Sequence, residues 1–158
     1  MVFRDLAAQA RKHLQAGEFE TAATLFGRAI AFWQGPAGED LPGTRRLVAL
    51  LNGLNGERTA AIEGLARAAI LAGRYSDAVT KLDHHIADHP THESAWVLLT
   101  SAQYLGGNAA IAQATARRAA RVLADGVGLD PGADLKAAEE ATIRHDDDWF
   151  RRYLRNAN

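Results

Sequence analysis

The chain has 158 residues, 47% of them hydrophobic, with 18 Lys and Arg against 19 Asp and Glu, a net charge of −1. That balance suits one soluble globular domain, excludes a disordered chain, and argues against a free-standing nucleic-acid binder, which shows a basic excess. The chain has no cysteine, which excludes disulfides, thiol catalysis and cysteine-based zinc sites and fits a cytoplasmic protein; no apolar run approaches the roughly 20 residues of a membrane span.

Alanine is very abundant, leucine, arginine and glutamate are common, strand patterns are missing, and breakers fall at intervals: Gly17, Gly35-Pro36, Pro42-Gly43, Gly73, Pro90, Gly106-Gly107 and Pro131-Gly132. Between them, apolar residues recur three and four apart, as in Leu6, Ala10 and Leu14, or Ala22, Leu25, Phe26, Ala29, Ile30 and Trp33. The pattern predicts helices near 3–16, 19–34, 44–72, 75–88, 92–106, 109–125, 132–143 and 146–155. The third holds Asn52, Gly53, Asn55 and Gly56, yet its ends are periodic on both sides, so it reads as one long helix that is open to a kink. Asp77 and Thr91 read as cap-region residues.

Gly73 and Gly107 stand 34 residues apart, the period of a tetratricopeptide (TPR) repeat. Leu65-Ala66, Gly73, Tyr75, Ala78, Leu82 and Pro90 make one repeat that resembles that family. Trp96, Leu99, Gly107, Ala112 and Ala119 make a second, and Leu6, Ala10, Gly17, Phe19, Ala22, Phe26 and Ala29 an earlier one. The resemblance implies an all-α fold of TPR-like antiparallel helix pairs, forming a short α-solenoid or bundle. Small residues such as Ala22, Ala78 and Ala112 let paired helices approach, and Phe26, Leu82 and Trp96 fill the space between pairs.

The order of further elements is similar to the bacterial transcriptional activator domain of SARP-type regulators. They are Trp33, Gly35 and Pro36; Ala72 to Tyr75; Asp88, His89 and Pro90; and Gly128, Pro131, Gly132 and Leu135. The sequence departs from that family at Gly126-Val127-Gly128, where Gly126 is expected to weaken its helix, and at the Asn-Gly repeats of 52–56. The resemblance implies a domain over 1–144, with 145–158 a helical tail packed on it or at an interface. It also implies that a winged-helix DNA reader lies outside this chain, Val2 to Leu6 reading as the start of the helical domain.

Four histidines, His84, His85, His89 and His92, lie within nine positions, and His85 and His89 are i, i+4 neighbours that could share a metal. A solvated helix end is the simpler reading, because Pro90 turns the chain before His92. Glu139-Glu140 and Asp146 to Asp148 sit on consecutive positions that point apart, and Ser76, Ser94 and Ser101 lie in no nucleophile elbow. The expectation is therefore no enzyme, no metal and no cofactor. Arg117, Arg118 and Arg121, and Arg151, Arg152 and Arg155, form basic stripes that suit acidic helices or a partner protein. Trp33 and Trp96 fall at core positions, whereas Trp149, Phe150, Tyr153 and Leu154 form an apolar stripe that either closes the last helix or faces a partner.

The resulting expectation is a helical protein-interaction module of a transcriptional regulator. By resemblance its partners are RNA polymerase components or its own second copy, a homodimer being one option, with DNA reached only through the separate domain. A generic TPR-like adaptor and a small-ligand sensor are the alternatives. The resemblance places the partner-facing concave surface at Arg4, Arg11, Glu63, Arg67, Ser94, Val97, Ser101 and Tyr104, with Arg67 and Tyr104 as the leading contacts.

Overall fold

A computed structural model describes residues 2–33 and 45–156. Within them lie eight helices: α1 Val2–Gln15, α2 Phe19–Ala31, α3 Arg45–Leu71, α4 Tyr75–Asp88, α5 Glu93–Leu105, α6 Ala109–Val127, α7 Ala133–Arg144 and α8 Asp147–Arg155. There is no strand among the described residues, and the all-α expectation holds. Gly35, Pro36, Pro42 and Gly43 lie outside the described residues.

Three turns are built alike. Gly17, Gly73 and Gly107 all have φ between 80° and 93°, a region that costs a residue with a Cβ. At each, the following amide reaches back to a carbonyl five residues earlier: Glu18 N to His13 O, Arg74 N to Ala69 O, and Asn108 N to Gln103 O. This is the longer bond of a Schellman cap, which satisfies a carbonyl the helix leaves open. The glycines that mark the repeat in the sequence are thus the residues that allow each helix to reverse.

α3 runs unbroken for 27 residues through the Asn-Gly repeats. Two sequence expectations are corrected at helix ends. The N-cap residues of α4 and α5 are Arg74 and His92, and neither caps through its side chain; Asp77 sits in the first turn of α4 and accepts from Arg74 Nε at 2.9 Å. Gly126 does not end α6, which continues to Val127 and stops at Gly128 in the left-handed region. A Cβ on Gly126 would lie 3.0 Å from Thr91 Cγ2, so close packing favours glycine there.

The chain forms two compact units, Met1–Leu65 and Ala66–Asn158. In the first, α1 packs on α2 through Leu6, Ala7, Ala10, Ala22, Ala23, Phe26 and Ala29, the alanines letting the two helices close up. A Cβ on Gly64 of α3 would lie 2.7 Å from Phe26 Cε1; the Phe26 ring occupies the space that the missing side chain leaves. Trp33 stacks at a tilt on Phe3, centroids 5.5 Å apart.

In the second unit α5 is the central helix, in contact with α4, α6, α7 and α8. Its position explains why nine of its residues are buried, on every side rather than on one stripe. Trp96 is almost wholly enclosed, and its indole N–H donates to Pro90 O at 2.8 Å. Leu82 and Ile86 from α4, Leu123 from α6, Leu135 from α7 and Phe150 and Leu154 from α8 join it in one core.

Gly53 and Gly64 share α3 but not an environment. Gly53 has open space where a Cβ would go, so Gly53→Ala is expected to stabilise by about 0.5–1 kcal/mol through helix propensity. Gly64→Ala is expected to destabilise by about 1–3 kcal/mol because the Phe26 ring must move. Urea unfolding of both variants checks the opposite signs.

Candidate protein-interaction surface

The structure brings the sequence-predicted surface residues into three environments. Arg4 and Arg11 stay exposed on α1, with Arg4 held in a two-pronged bond to Glu57, both N···O distances 2.8 Å. Glu63 and Ser94 are half-buried; Ser94 Oγ is 3.0 Å from His92 Nε2. Val97 and Ser101 are fully enclosed, and Arg67 and Tyr104 are buried to within 8% of their surface. The expectation that all eight face solvent is therefore corrected for these four. The physical reason is that α7 and α8 pack against α5, which carries Val97, Ser101 and Tyr104, and that Tyr153 of α8 meets Arg67 of α3.

Arg67 and Tyr104, the two leading candidates, hold α8 at its two ends. The first turn of α8 carries Asp147 and Asp148, and Asp146 caps it by accepting from Trp149 N at 3.0 Å; negative charge suits the positive end of a helix dipole. There the Tyr104 hydroxyl donates to Asp147 Oδ1 at 2.5 Å. At the other end the Tyr153 carbonyl belongs to the last turn, which has no helical amide to accept. Arg67 Nη1 donates to it at 2.6 Å, and the guanidinium lies 4.7 Å from the centre of the Tyr153 ring. A cation is thus set where the helix dipole is negative.

Between these ends the contact is aromatic. Tyr104 stacks on Phe150 with centroids 4.4 Å apart, Phe150 meets Trp149 edge-on at 5.1 Å, and Trp149 lies nearly parallel to Tyr153 at 5.3 Å. The run of rings closes α8 onto its own chain. Its i, i+3 and i, i+4 spacing was visible as a stripe; that Tyr104 and Arg67 would meet it was not. Within the acidic run Asp146 to Asp148, nothing in the sequence marks which carboxylate meets a phenol.

Burial raises the Tyr104 hydroxyl to about 12, with the hydrogen bond to Asp147 and the charges of Asp147 and Asp146 adding to the effect. The neutral phenol is favoured in the folded chain. Since its pKa is about 10 when unfolded, its contribution is complete below pH 10 and is lost as pH rises from there towards 12.

The histidine cluster resolves into a hydrogen-bonded relay. His85 is buried, its Nε2 lies 2.7 Å from His92 Nδ1, and His89 packs against the His85 ring at 4.8 Å. Among the described residues no three His, Cys, Asp or Glu side chains are grouped to hold a metal ion. Of the basic stripe on α6, Arg117 pairs with Glu139 at 3.1 Å and Arg118 lies 5.5 Å from the centre of a Trp96 ring. Near α8, Asp134, Trp149, Arg152, Tyr153 and Asn156 line a depression of about 300 Å³, at the lower limit of the roughly 300–1,000 Å³ usual for ligand sites. No helix among the described residues is long and apolar enough to cross a membrane.

Helix pairs joined by glycine turns, with a central buried helix in the second unit, define an all-α, TPR-like domain. The sequence profile of the family described as "Bacterial transcriptional activator domain" matches residues 1–143, and the chain belongs to that family. It is 33% identical over 129 residues to the transcriptional regulatory protein EmbR of Mycobacterium tuberculosis, covering 82% of this chain and 33% of EmbR. It is 25% identical over 144 residues to the regulatory protein DnrI of Streptomyces peucetius, covering 91% of this chain and 53% of DnrI. In structure it is similar to M. tuberculosis EmbR, solved in complex with a low-affinity phosphopeptide. The TM-score is 0.86 at 28% identity, over 96% of this chain and 41% of that one. These relatives are SARP-type transcriptional regulators, a non-enzymatic family, and the chain spans about a third to a half of their length.

The variants Arg67→Ala and Tyr104→Phe are expected to lower stability by about 2 and about 1–2 kcal/mol, through loss of a charge-assisted bond and of a hydrogen bond to a carboxylate. In thermal melts followed by circular dichroism, both should unfold below the parent. The gap between the parent and Tyr104→Phe should be constant from pH 7 to 10 and narrow above it. A gap independent of pH up to 12 contradicts the burial-raised phenol.

Proposed function

We propose that this chain is the protein-interaction module of a bacterial transcriptional regulator. In this reading it acts in the cytoplasm, associates with a second copy of itself and contacts the transcription machinery, RNA polymerase components first. DNA is read by a separate domain outside the chain. The observation that carries the reading is the match of residues 1–143 to a single domain family whose relatives are named transcriptional regulators, the match covering 33% of EmbR and 53% of DnrI. The net charge of −1 supports a protein partner over a phosphate backbone, since nucleic-acid affinity scales with the phosphates a basic surface neutralises. That the structural relative EmbR is known with a phosphopeptide supports partners of protein type.

The surface follows from exposure. With Arg67, Val97, Ser101 and Tyr104 occupied inside the fold, the partner would be met through the predicted positions that keep solvent access, Arg4, Arg11, Glu63 and Ser94. Arg11 is the most informative, because it is exposed and changing it disturbs no core residue.

The test has two arms. Surface plasmon resonance with purified bacterial RNA polymerase holoenzyme is expected to detect binding by the chain. Arg11→Glu should weaken it about tenfold while the melting temperature moves little, as for a rim or hot-spot charge. A mobility-shift assay on duplex DNA is expected to show only weak binding without sequence preference. Tight, sequence-selective DNA binding by residues 1–158 alone would overturn the assignment, as would no detectable polymerase binding.

A further inference from the structure

We infer that α8 can leave its own docking surface and occupy the same surface of a second copy, giving a helix-swapped dimer hinged at His145. This rests on the self-association in the function proposed above and names the segment and surface that carry it.

The α7–α8 junction differs from every other helix connection in the chain. Each of the others contains a glycine or a proline: Gly17, Gly35-Pro36, Gly73, Pro90, Gly106-Gly107 and Pro131-Gly132. From Ala133 to Arg155 there is neither. What separates α7 from α8 is two residues, His145 at φ 55° and the N-cap Asp146 at φ −88°, ψ 81°, and His145 is the one non-glycine with positive φ among the described residues. A left-handed residue with a Cβ is disfavoured relative to glycine, so this short turn stores strain that a continuous helix would release. Short hinges under strain favour exchange of an element between copies.

The sequence across the hinge also suits a straight helix. In one, Arg144 of α7 would fall four residues before Asp148 of α8, a spacing at which opposite charges support a helix, in addition to its pair with Glu140 at 2.6 Å in the folded chain. In the folded chain, the turn is held by Asp146 N bonding to Ala141 O, by the Asp146 cap on Trp149 N, and by what α8 buries. Phe150 and Leu154 are fully enclosed, and Tyr104 and Arg67 grip the two ends. A helix that opened alone would lose all of this. A helix that docked on a second copy would regain each contact, because surface and helix come from the same sequence. The balance then depends on the hinge and on concentration.

The experiment measures the monomer–dimer equilibrium of the chain by sedimentation velocity from micromolar to near-millimolar concentration, for the parent and two hinge variants. His145→Gly relaxes the turn and weakens a continuous helix, so the dimer dissociation constant should rise about tenfold or more. The double variant His145→Ala, Asp146→Ala penalises the left-handed turn, removes the α8 cap and favours helix, so the constant should fall about tenfold or more. The near-ultraviolet circular dichroism of the Tyr104–Phe150 and Trp149–Tyr153 stacks should be the same in dimer and monomer, since the same rings meet. A dimer whose strength ignores both variants, or which loses the aromatic signal, overturns the swap while leaving self-association through another surface. No dimer in the parent or the double variant at any concentration overturns both.

Discussion

The docking of α8 on α5 is the contact on which the second unit depends. α8 has nine residues, too short to be helical by itself in water. It exists because Phe150 and Leu154 are buried and because its two ends meet groups that suit its dipole: Tyr104 beside Asp147, Arg67 beside the Tyr153 carbonyl. The dependence runs both ways. α5 carries nine buried residues and would expose a strip including Val97, Ser101 and Tyr104 without helices over it. The polar members of that strip are satisfied locally: Thr100 and Ser101 hydroxyls donate to the carbonyls of Trp96 and Val97, four residues back, so that the helix can be enclosed without orphaned donors.

This arrangement recasts what a TPR-like array does here. In an open array the inner face of the first helices is free for a partner peptide. In this chain an internal helix takes that place in the second unit, using aromatic stacking, a cation over a ring and a charged hydrogen bond, the kinds of contact that concentrate binding energy at interfaces between proteins. The residues that look most like hot spots, Arg67 and Tyr104, have that character because they bind a helix of their own chain. Arg4 and Arg11 of α1 take no part in this contact and stay exposed.

The motifs that link the chain to the bacterial transcriptional activator domain have structural work to do. Gly73 makes the reversal between α3 and α4. Pro90 offers its carbonyl to the Trp96 indole. Gly132 donates its amide to Glu93 at 3.1 Å, in a space where a Cβ would lie 2.5 Å from Glu93 Oε1, and Leu135 is buried three residues on. A family signature made largely of packing and turn residues identifies the fold and the membership and names no partner.

The sequence by itself determined the helices and where they turn. Helix periodicity and glycine placement are local: Gly17, Gly73 and Gly107 are needed wherever a Schellman turn is made, and an apolar stripe shows which face is inward. Hence the bounds of all eight helices were legible to within about three residues, and Trp96 could be placed in the core from its offset to Gly107. Tertiary structure alone decided which inward-facing surface is covered and by what. Arg67 and Tyr104 lie 86 and 43 residues from their partners Tyr153 and Asp147, and no periodicity carries information over such distances. The same holds for Gly64, whose need for glycine comes from a Phe26 ring 38 positions away rather than from its own helix, and for Gly126, which looks like a helix breaker until Thr91 is seen against it. Arg67 and Tyr104, which clasp α8, look the same in sequence whether they face solvent, a partner or their own chain, because the difference is set by what packs over them.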